Sequence, residues 1–190
     1  MNRVAFQILI GSMLGDGCIT KNTRLCKNYC FREMHGESQR EYVVWKAAQL
    51  GFGAIACGKR PELFTRTMPI FTRLRNEFYG TSDQKCLLPK SHYKFLNELG
   101  LLIWYLDDGT WQQGQLAIKC ELFDVDDLQW LVDQLNTKMG LSLRIYDYDY
   151  TRLIAFRKSS RENIMPAWQE LMRVYKIPSS MSYKLVGKDG

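Results

Sequence analysis

Two apolar runs dominate the hydrophobic pattern, Ile8-Leu9-Ile10-Gly11-Ser12-Met13-Leu14 and Leu101-Leu102-Ile103-Trp104-Tyr105-Leu106. Each ends in a carboxylate and a glycine, Asp16-Gly17 in the first and Asp107-Asp108-Gly109 in the second. Each is expected to form a short buried helix that delivers an aspartate from its last turn, with the glycine taking the left-handed position that stops it. Gly11 and Gly15 lie four apart, so they share a helix face and leave a shallow groove for a close-packed partner, most naturally the other copy. Ile103 and Asp107 occupy the corresponding places in the second run, which predicts a one-sided groove and a wider crossing. The pattern alone assigns Asp107 no role.

Between these runs the pattern alternates between extended and helical stretches. Asn2 is a good N-cap for the first helix, and Asn97 for the second. From Arg24 to His35 the period is two, with Tyr29, Phe31, Glu33 and His35 on one face. Ser38 opens a helix carried by Tyr42, Trp45, Ala48 and Gln49 and stopped by Gly51. Short strands follow near 54–60 and 63–69, then a helix over 71–79.

After the second run the order returns. An extended piece over 115–121 leads to a helix capped by Asp124 and stopped by Gly140, and Leu141 to Tyr146 has the cleanest alternation in the chain. Residues 147–150 form a hairpin tip that leads into 152–158. A last helix starts near Ser159, with Glu162 completing a capping box and Pro166 bending or dividing it. Asp16 and Asp108 stand 92 positions apart, and the elements repeat at that offset. The boundaries read as a first repeat over 1–80, a linker over 81–97 and a second repeat over 98–190. These halves form one compact pseudo-symmetric α+β unit, with two antiparallel sheets around a two-helix spine.

Composition narrows the class. The chain has 190 residues, 46% of them hydrophobic, which is ample for a packed core and excludes disorder. A net charge of +6 favours an anionic partner, nucleic acid before membrane. No run reaches the length of a membrane span and the N-terminus lacks a signal-peptide pattern, so an intracellular setting and reduced thiols at the six cysteines are expected. The position in a mitochondrion, a chloroplast or a bacterial or phage compartment is not distinguished. Cys26, Cys30 and His35 lack the spacing and the fourth ligand of a structural zinc site. Capping explains Asp124, Asp126 and Asp127 better than calcium does.

The paired aspartates have no folding rationale. Side by side at two helix C-termini they repel each other and the dipoles, and a divalent cation with oxygen ligands is the simplest compensation.

These residues resemble the LAGLIDADG homing endonucleases, in particular single-chain members with two motif copies. The likeness extends to Phe31-Arg32-Glu33-Met34-His35, Gln39-Arg40-Glu41-Tyr42-Val43-Val44-Trp45-Lys46, Leu88-Pro89-Lys90, Trp104 to Gly109 and Ile177 to Leu185, which together span nearly the whole chain. The resemblance implies a duplicated αββαββα repeat whose curved sheets grip double-stranded DNA. It implies a monomeric, site-specific, intron-encoded endonuclease that cuts both strands across the minor groove with short 3′ overhangs. The cofactor implied is Mg²⁺ or Mn²⁺, with Ca²⁺ as a non-catalytic substitute.

By position, Asp16 and Asp108 are the metal ligands, joined by the backbone carbonyls of Gly15 and Asp107. Lys119 and His35 are candidates for the group that organises water beside the metals. DNA contacts are expected from Arg24, Lys27, Arg32, Lys59, Arg60 and Arg66 in the first half. In the second half they are expected from Gln113, Gln115, Lys119, Arg144, Tyr146, Arg152 and Arg157. The alternatives on the same scaffold are a maturase that binds group I intron RNA and a catalytically silent DNA-binding protein.

Overall fold

The computed structural model describes residues 1–51, 53–86, 88–112, 114–148 and 151–186. In the first half, helix α1 (Arg3–Leu14) leads into β1 (Cys18–Thr20) and β2 (Cys30–Met34), then α2 (Arg40–Leu50), β3 (Gly53–Cys57), β4 (Pro61–Thr65) and α3 (Pro69–Tyr79). A connection with one short turn, α4 (Lys90–Tyr93), precedes α5 (Glu98–Asp108). The second half follows with β5 (Gly109–Gln112), β6 (Gln115–Lys119), α6 (Val125–Met139), β7 (Leu143–Tyr148), β8 (Thr151–Phe156) and α7 (Lys158–Val174). Both sheets are antiparallel, and their strand orders, β1-β2-β4-β3 and β5-β6-β8-β7, are the same order used twice.

The ends of the helices are set by the expected side chains. Asn2 Oδ1 accepts from Ala5 N at 2.8 Å, Asn97 Oδ1 from Leu99 N at 3.0 Å, and Asp124 Oδ1 from Asp126 N at 2.8 Å. Gly51 and Gly140 stop α2 and α6 in the left-handed region, at φ 71° and 63°. At the motif glycines the expected stop does not occur, since Gly109 has φ −69° and Gly17 is not among the glycines of positive φ. These two are small because the space is filled: a Cβ on Gly17 would lie 2.6 Å from the Phe31 ring and 2.7 Å from Ser12 O. On Gly109 it would run into the Tyr105 carbonyl and ring.

α1 and α5 form the central pair. A Cβ on Gly11 would lie 2.5 Å from Gly100 O, and one on Gly15 would lie 2.6 Å from Asp107 Cβ. The wider crossing expected from Ile103 and Asp107 is therefore corrected: Gly100 supplies the missing small residue one turn earlier, and Asp107 fits because Gly15 opposes it. Nearly all of both helices is buried in one continuous core that runs through Leu102, Trp104, Phe31, Phe71, Phe156 and Trp168.

Two local expectations change. In α2 the buried face carries Tyr42, Val43, Trp45, Lys46, Ala47 and Leu50, while Ala48 is exposed. α7 begins at Lys158 without a side-chain cap from Ser159, and it continues unbroken through Pro166, an exposed position where water can take the carbonyl that the proline leaves unpaired. Cys18, Cys26, Cys30, Cys86 and Cys120 are all free thiols. No helix among the described residues is long and apolar enough to cross a membrane.

Candidate metal and nucleic-acid site at the helix ends

Asp16 follows the C-cap of α1 and Asp108 is the last residue of α5, so each carboxylate sits where a helix presents unpaired carbonyls. Asp16 is exposed, with 38% of its side chain in solvent, and Asp108 is half-buried. Burial is the main reason the Asp108 carboxyl is pushed up to about 7, and the charges of Asp16 and Asp107 push it the same way. The two aspartates thus share one electrostatic neighbourhood, as the sequence led us to expect.

Two lysines overlooked in the sequence close this neighbourhood from either side. Lys85 Nζ donates to Gly15 O at 2.6 Å and to Gly17 O at 2.9 Å. Lys184 Nζ donates to Asp107 O at 3.3 Å and Gly109 O at 3.0 Å. The pairs of carbonyls are equivalent in the two repeats, so each lysine bridges the backbone on either side of one aspartate. Burial lowers both ammonium pKa values and the nearby aspartates partly restore them. The backbone carbonyls of Gly15 and Asp107, expected as metal ligands, each accept one of these lysine hydrogen bonds. Each lysine follows the third helix of its repeat, which was the one available sequence signal.

Beneath Asp16 lies a buried polar hub. Lys46, fully buried on α2, donates to Asp107 Oδ1 and Oδ2 at 2.8 and 2.9 Å, to Ser12 Oγ at 2.8 Å and to Glu33 Oε1. Tyr42 Oη donates to Asp107 Oδ1 at 3.0 Å. Burial disfavours the charge on Lys46, but Asp107 and Glu33 outweigh it and hold the ammonium protonated. Burial likewise opposes ionisation of Glu33, and Lys46 and His35 more than offset it, so this carboxyl is depressed. Burial pushes the Asp107 carboxyl up to about 6 against the pull of Lys46, so at neutral pH it is the anion that accepts from Lys46 and Tyr42, across the helix seam from Gly15. His35 completes the hub: its Nε2 is hydrogen-bonded to Glu33 Oε1, and its Nδ1 stands 3.5 Å from Asp16 Oδ2.

Among the described residues the second repeat has no such hub. Cys18 and Thr110 are equivalent, and their strand partners are Arg32 and Ala117, so Glu33 corresponds to Ile118 and His35 to Cys120. Counting back from Gly51 and Gly140, Tyr42 corresponds to Leu131 and Lys46 to Leu135. All four counterparts are buried.

Of the other expected site residues, Lys119 is exposed at the end of β6 and lines one depression with Asp108. Gln115, Lys119, Arg144 and Tyr146 share the sheet face turned away from the core, around an apolar floor of Ala117, Leu153 and Ala155. Arg24 and Lys27 lie in the loop after β1, Lys59 and Arg60 at the β3–β4 turn, Arg66 just after β4 and Arg157 at the start of α7, all exposed. Arg32 is paired with Glu62 at 2.7 Å. Arg152 is turned from the open face, its Nε on Asp147 Oδ1 and its Nη1 on Phe123 O, both at 3.1 Å. Gln113 lies outside the described residues.

Comparisons with known proteins match one family model and several relatives. The profile of the LAGLIDADG DNA endonuclease family matches residues 6–164. A protein named RecA from Mycobacterium shimoidei is 30% identical over 201 residues, covering 95% of this chain and 46% of that protein. Cytochrome b mRNA maturase bI2 of Saccharomyces cerevisiae is 27% identical over 220 residues, covering 97% of this chain and 48% of that protein. The chain thus spans about half the length of these curated relatives. Among solved structures, the homing endonuclease I-WcaI bound to its DNA recognition sequence superimposes with a TM-score of 0.77 at 19% identity, over 98% of this chain and 88% of that one. I-DmoI in complex with DNA and Ca gives a TM-score of 0.58 at 14% identity, over 95% and 96% of the two chains.

Proposed function

Because this chain belongs to the LAGLIDADG DNA endonuclease family, we propose that it is a site-specific, metal-dependent endonuclease that cuts both strands of double-stranded DNA at the paired aspartates. The observation that carries this reading is the crowding of Asp16, Asp107 and Asp108 at two helix ends, with Asp108 held near pH 7 in its titration by burial and by its neighbours' charge. Carboxylates so arranged are oxygen donors in need of positive charge, and the DNA complexes of I-DmoI carry Mn or Ca. The donor set fits a hard divalent cation such as Mg²⁺ or Mn²⁺, held by Asp16 and Asp108. A bound cation of this kind activates water, neutralises phosphoryl charge and stabilises the leaving 3′ oxygen.

The chain's own residues do the positioning. Lys85 and Lys184 tie down the backbone on either side of each aspartate, which fixes where the carboxylates point and adds positive charge near the phosphate. Lys119, beside Asp108, is suited to a phosphate or to ordering water. The open faces of the two sheets hold the duplex, with Gln115, Arg144 and Tyr146 reading base edges and the exposed lysines following phosphates. The repeats 1–80 and 98–190, joined through 81–97, each serve one strand and one half of the target, and the protein acts as a monomer.

The likeness to the yeast maturase favours a second reading, assistance to an intron RNA on the same scaffold. A plasmid library of intronless insertion sites, incubated with Mg²⁺, separates the two. Specific linearisation, abolished by Asp16→Asn and by Asp108→Asn, supports the nuclease. Intron RNA binding with no cut in any DNA supports the maturase.

A further inference from the structure

We propose that the apolar depression on the open face of the second sheet reads a thymine methyl group in the major groove, so that the half-site under this repeat is selected for thymine by contact with carbon. The proposal rests on the reading that the open sheet faces hold the duplex, and it adds what one of them recognises.

The depression follows from the strand register. Ala117 on β6 stands opposite Ala155 on β8, and Lys119 opposite Leu153, so these side chains project from the same face as Arg144 and Tyr146 of β7. The core lies on the other face, through Leu116, Ile118 and Ile154, and Ala117, Leu153 and Ala155 form an apolar cluster separate from it. Two alanines side by side keep the floor low and Leu153 makes a wall, leaving a depression of about 200 Å³ rimmed by Gln112, Gln115 and Tyr146. Asp147 reaches one edge, where Arg152 pairs with it at 3.1 Å.

An antiparallel sheet with one solvated face normally turns polar residues to it, and three adjacent apolar ones on the two central strands depart from that alternation. Their surroundings say what they meet. Lys119 and Arg144, both exposed, flank the floor with positive charge for phosphates on either side. Of the groups that base edges present in the major groove, the thymine C5 methyl is the apolar one. Gln112 and Gln115, cross-strand partners at the rim, suit the donor and acceptor of adenine. Floor and rim together suit an A·T pair.

The first sheet is built differently at the same place. By register, Arg32, Phe64 and Glu62 correspond to Ala117, Ala155 and Leu153. Arg32 Nε is joined to Glu62 Oε1 at 2.7 Å, so an ion pair and a phenyl ring occupy the ground that two alanines and a leucine leave open. The thymine requirement therefore belongs to one half of the target and not to the other.

The test uses the full chain and a DNA duplex that it selects from a random pool, bound in Ca²⁺ so that the strands stay uncut. Each thymine is replaced singly by deoxyuridine, which removes the methyl and keeps every hydrogen-bonding group, and affinity is read by gel-shift titration. One or two positions, all in one half-site, are expected to bind about three- to fivefold more weakly, the effect of one methyl buried against carbon, with a change below about 1.5-fold elsewhere. Ala155→Thr, which raises the floor, and Leu153→Ala, which removes the wall, should each bring the thymine-to-uracil ratio at those positions below about 1.5. Equal losses in both half-sites, no loss at any thymine, or a ratio that neither variant moves overturns the methyl contact and leaves the nuclease reading standing. Selection of no duplex from the pool overturns both. The scan on the wild type decides the matter even where a variant does not fold.

Discussion

Replacing Lys46 with methionine tests the buried hub most directly. The side chain keeps its volume but loses the ammonium that faces Asp107 at 2.8 Å and also reaches Glu33, all at fully buried positions. Breaking a buried pair by removing one partner costs about 3–5 kcal/mol, because a charge is left without compensation. An upper bound follows from titration: the stranded Asp107 can escape by taking a proton, which from an ordinary carboxyl pKa costs about 4 kcal/mol at pH 7. Both routes give the same range.

For a chain of this length the loss corresponds to a fall in Tm of about 6–20 °C. Its sign with pH is fixed by the same reasoning. Protonating Asp107 becomes nearly free as pH falls toward the ordinary carboxyl range, so the deficit of Lys46→Met shrinks between pH 7 and pH 4.5. Adding Asp107→Ala removes the stranded acid, and the double variant should regain about half of the loss or more. Urea denaturation of the wild type, the two single variants and the double variant at both pH values measures the coupling as a double-mutant cycle. A single-variant loss under about 1 kcal/mol at pH 7, or a deficit that does not change with pH, would refute the buried ion-pair account.

Three further outcomes follow. Asp108 has a folded-state pKa raised from 3.8 to about 7, so the stability it permits is full below pH 4 and is lost as pH rises through 7. Asp108→Asn should therefore stabilise the metal-free protein at pH 8 by about 1–3 kcal/mol after allowance for solvent screening, with no gain at pH 4 in thermal melts. Lys184→Met should slow cleavage by about 100-fold while leaving DNA affinity within about threefold in gel-shift titrations, since its ammonium fixes the backbone around Asp108 rather than gripping the duplex. Gly11→Ala should cost about 1–3 kcal/mol in urea denaturation, because the new Cβ would lie 2.5 Å from the Gly100 carbonyl, whereas Ala in place of the solvent-facing Gly51 costs about 1–2 kcal/mol from its left-handed backbone alone.

The elements were largely legible in the sequence because their signals are local. Asn2, Asn97 and Asp124 cap helices a few residues away, Gly51 and Gly140 stop them, and the repeat at 92 positions announced the duplication and its spine. The paired aspartates were legible for the same reason, as the charged ends of two apolar helices. The hub was not. Lys46 meets Asp107 across 61 positions and Ser12 across 34, and its own helix gave no hint that a lysine would face inward. Lys85 and Lys184 escaped notice likewise, since each reaches a helix end about 70 positions away. The glycines at the motif ends were identified correctly as necessary but for the wrong cause: crowding by Phe31 and Tyr105 demands them, not a left-handed turn. Arg152 shows the general difficulty with surface charge, for sequence spacing cannot say that Asp147 and a carbonyl already hold it.

The uneven seam between α1 and α5 gives the two halves a handedness of partnership. Two copies of the first half, docked on each other, would set Gly15 against Gly15 and bury a pair of lysines with no acid opposite. Two copies of the second would set Asp107 against Asp107 amid leucines. Neither half can stand in for the other, so a chimera assembled from this protein and a relative must inherit the lysine and the aspartate together or lose its joint.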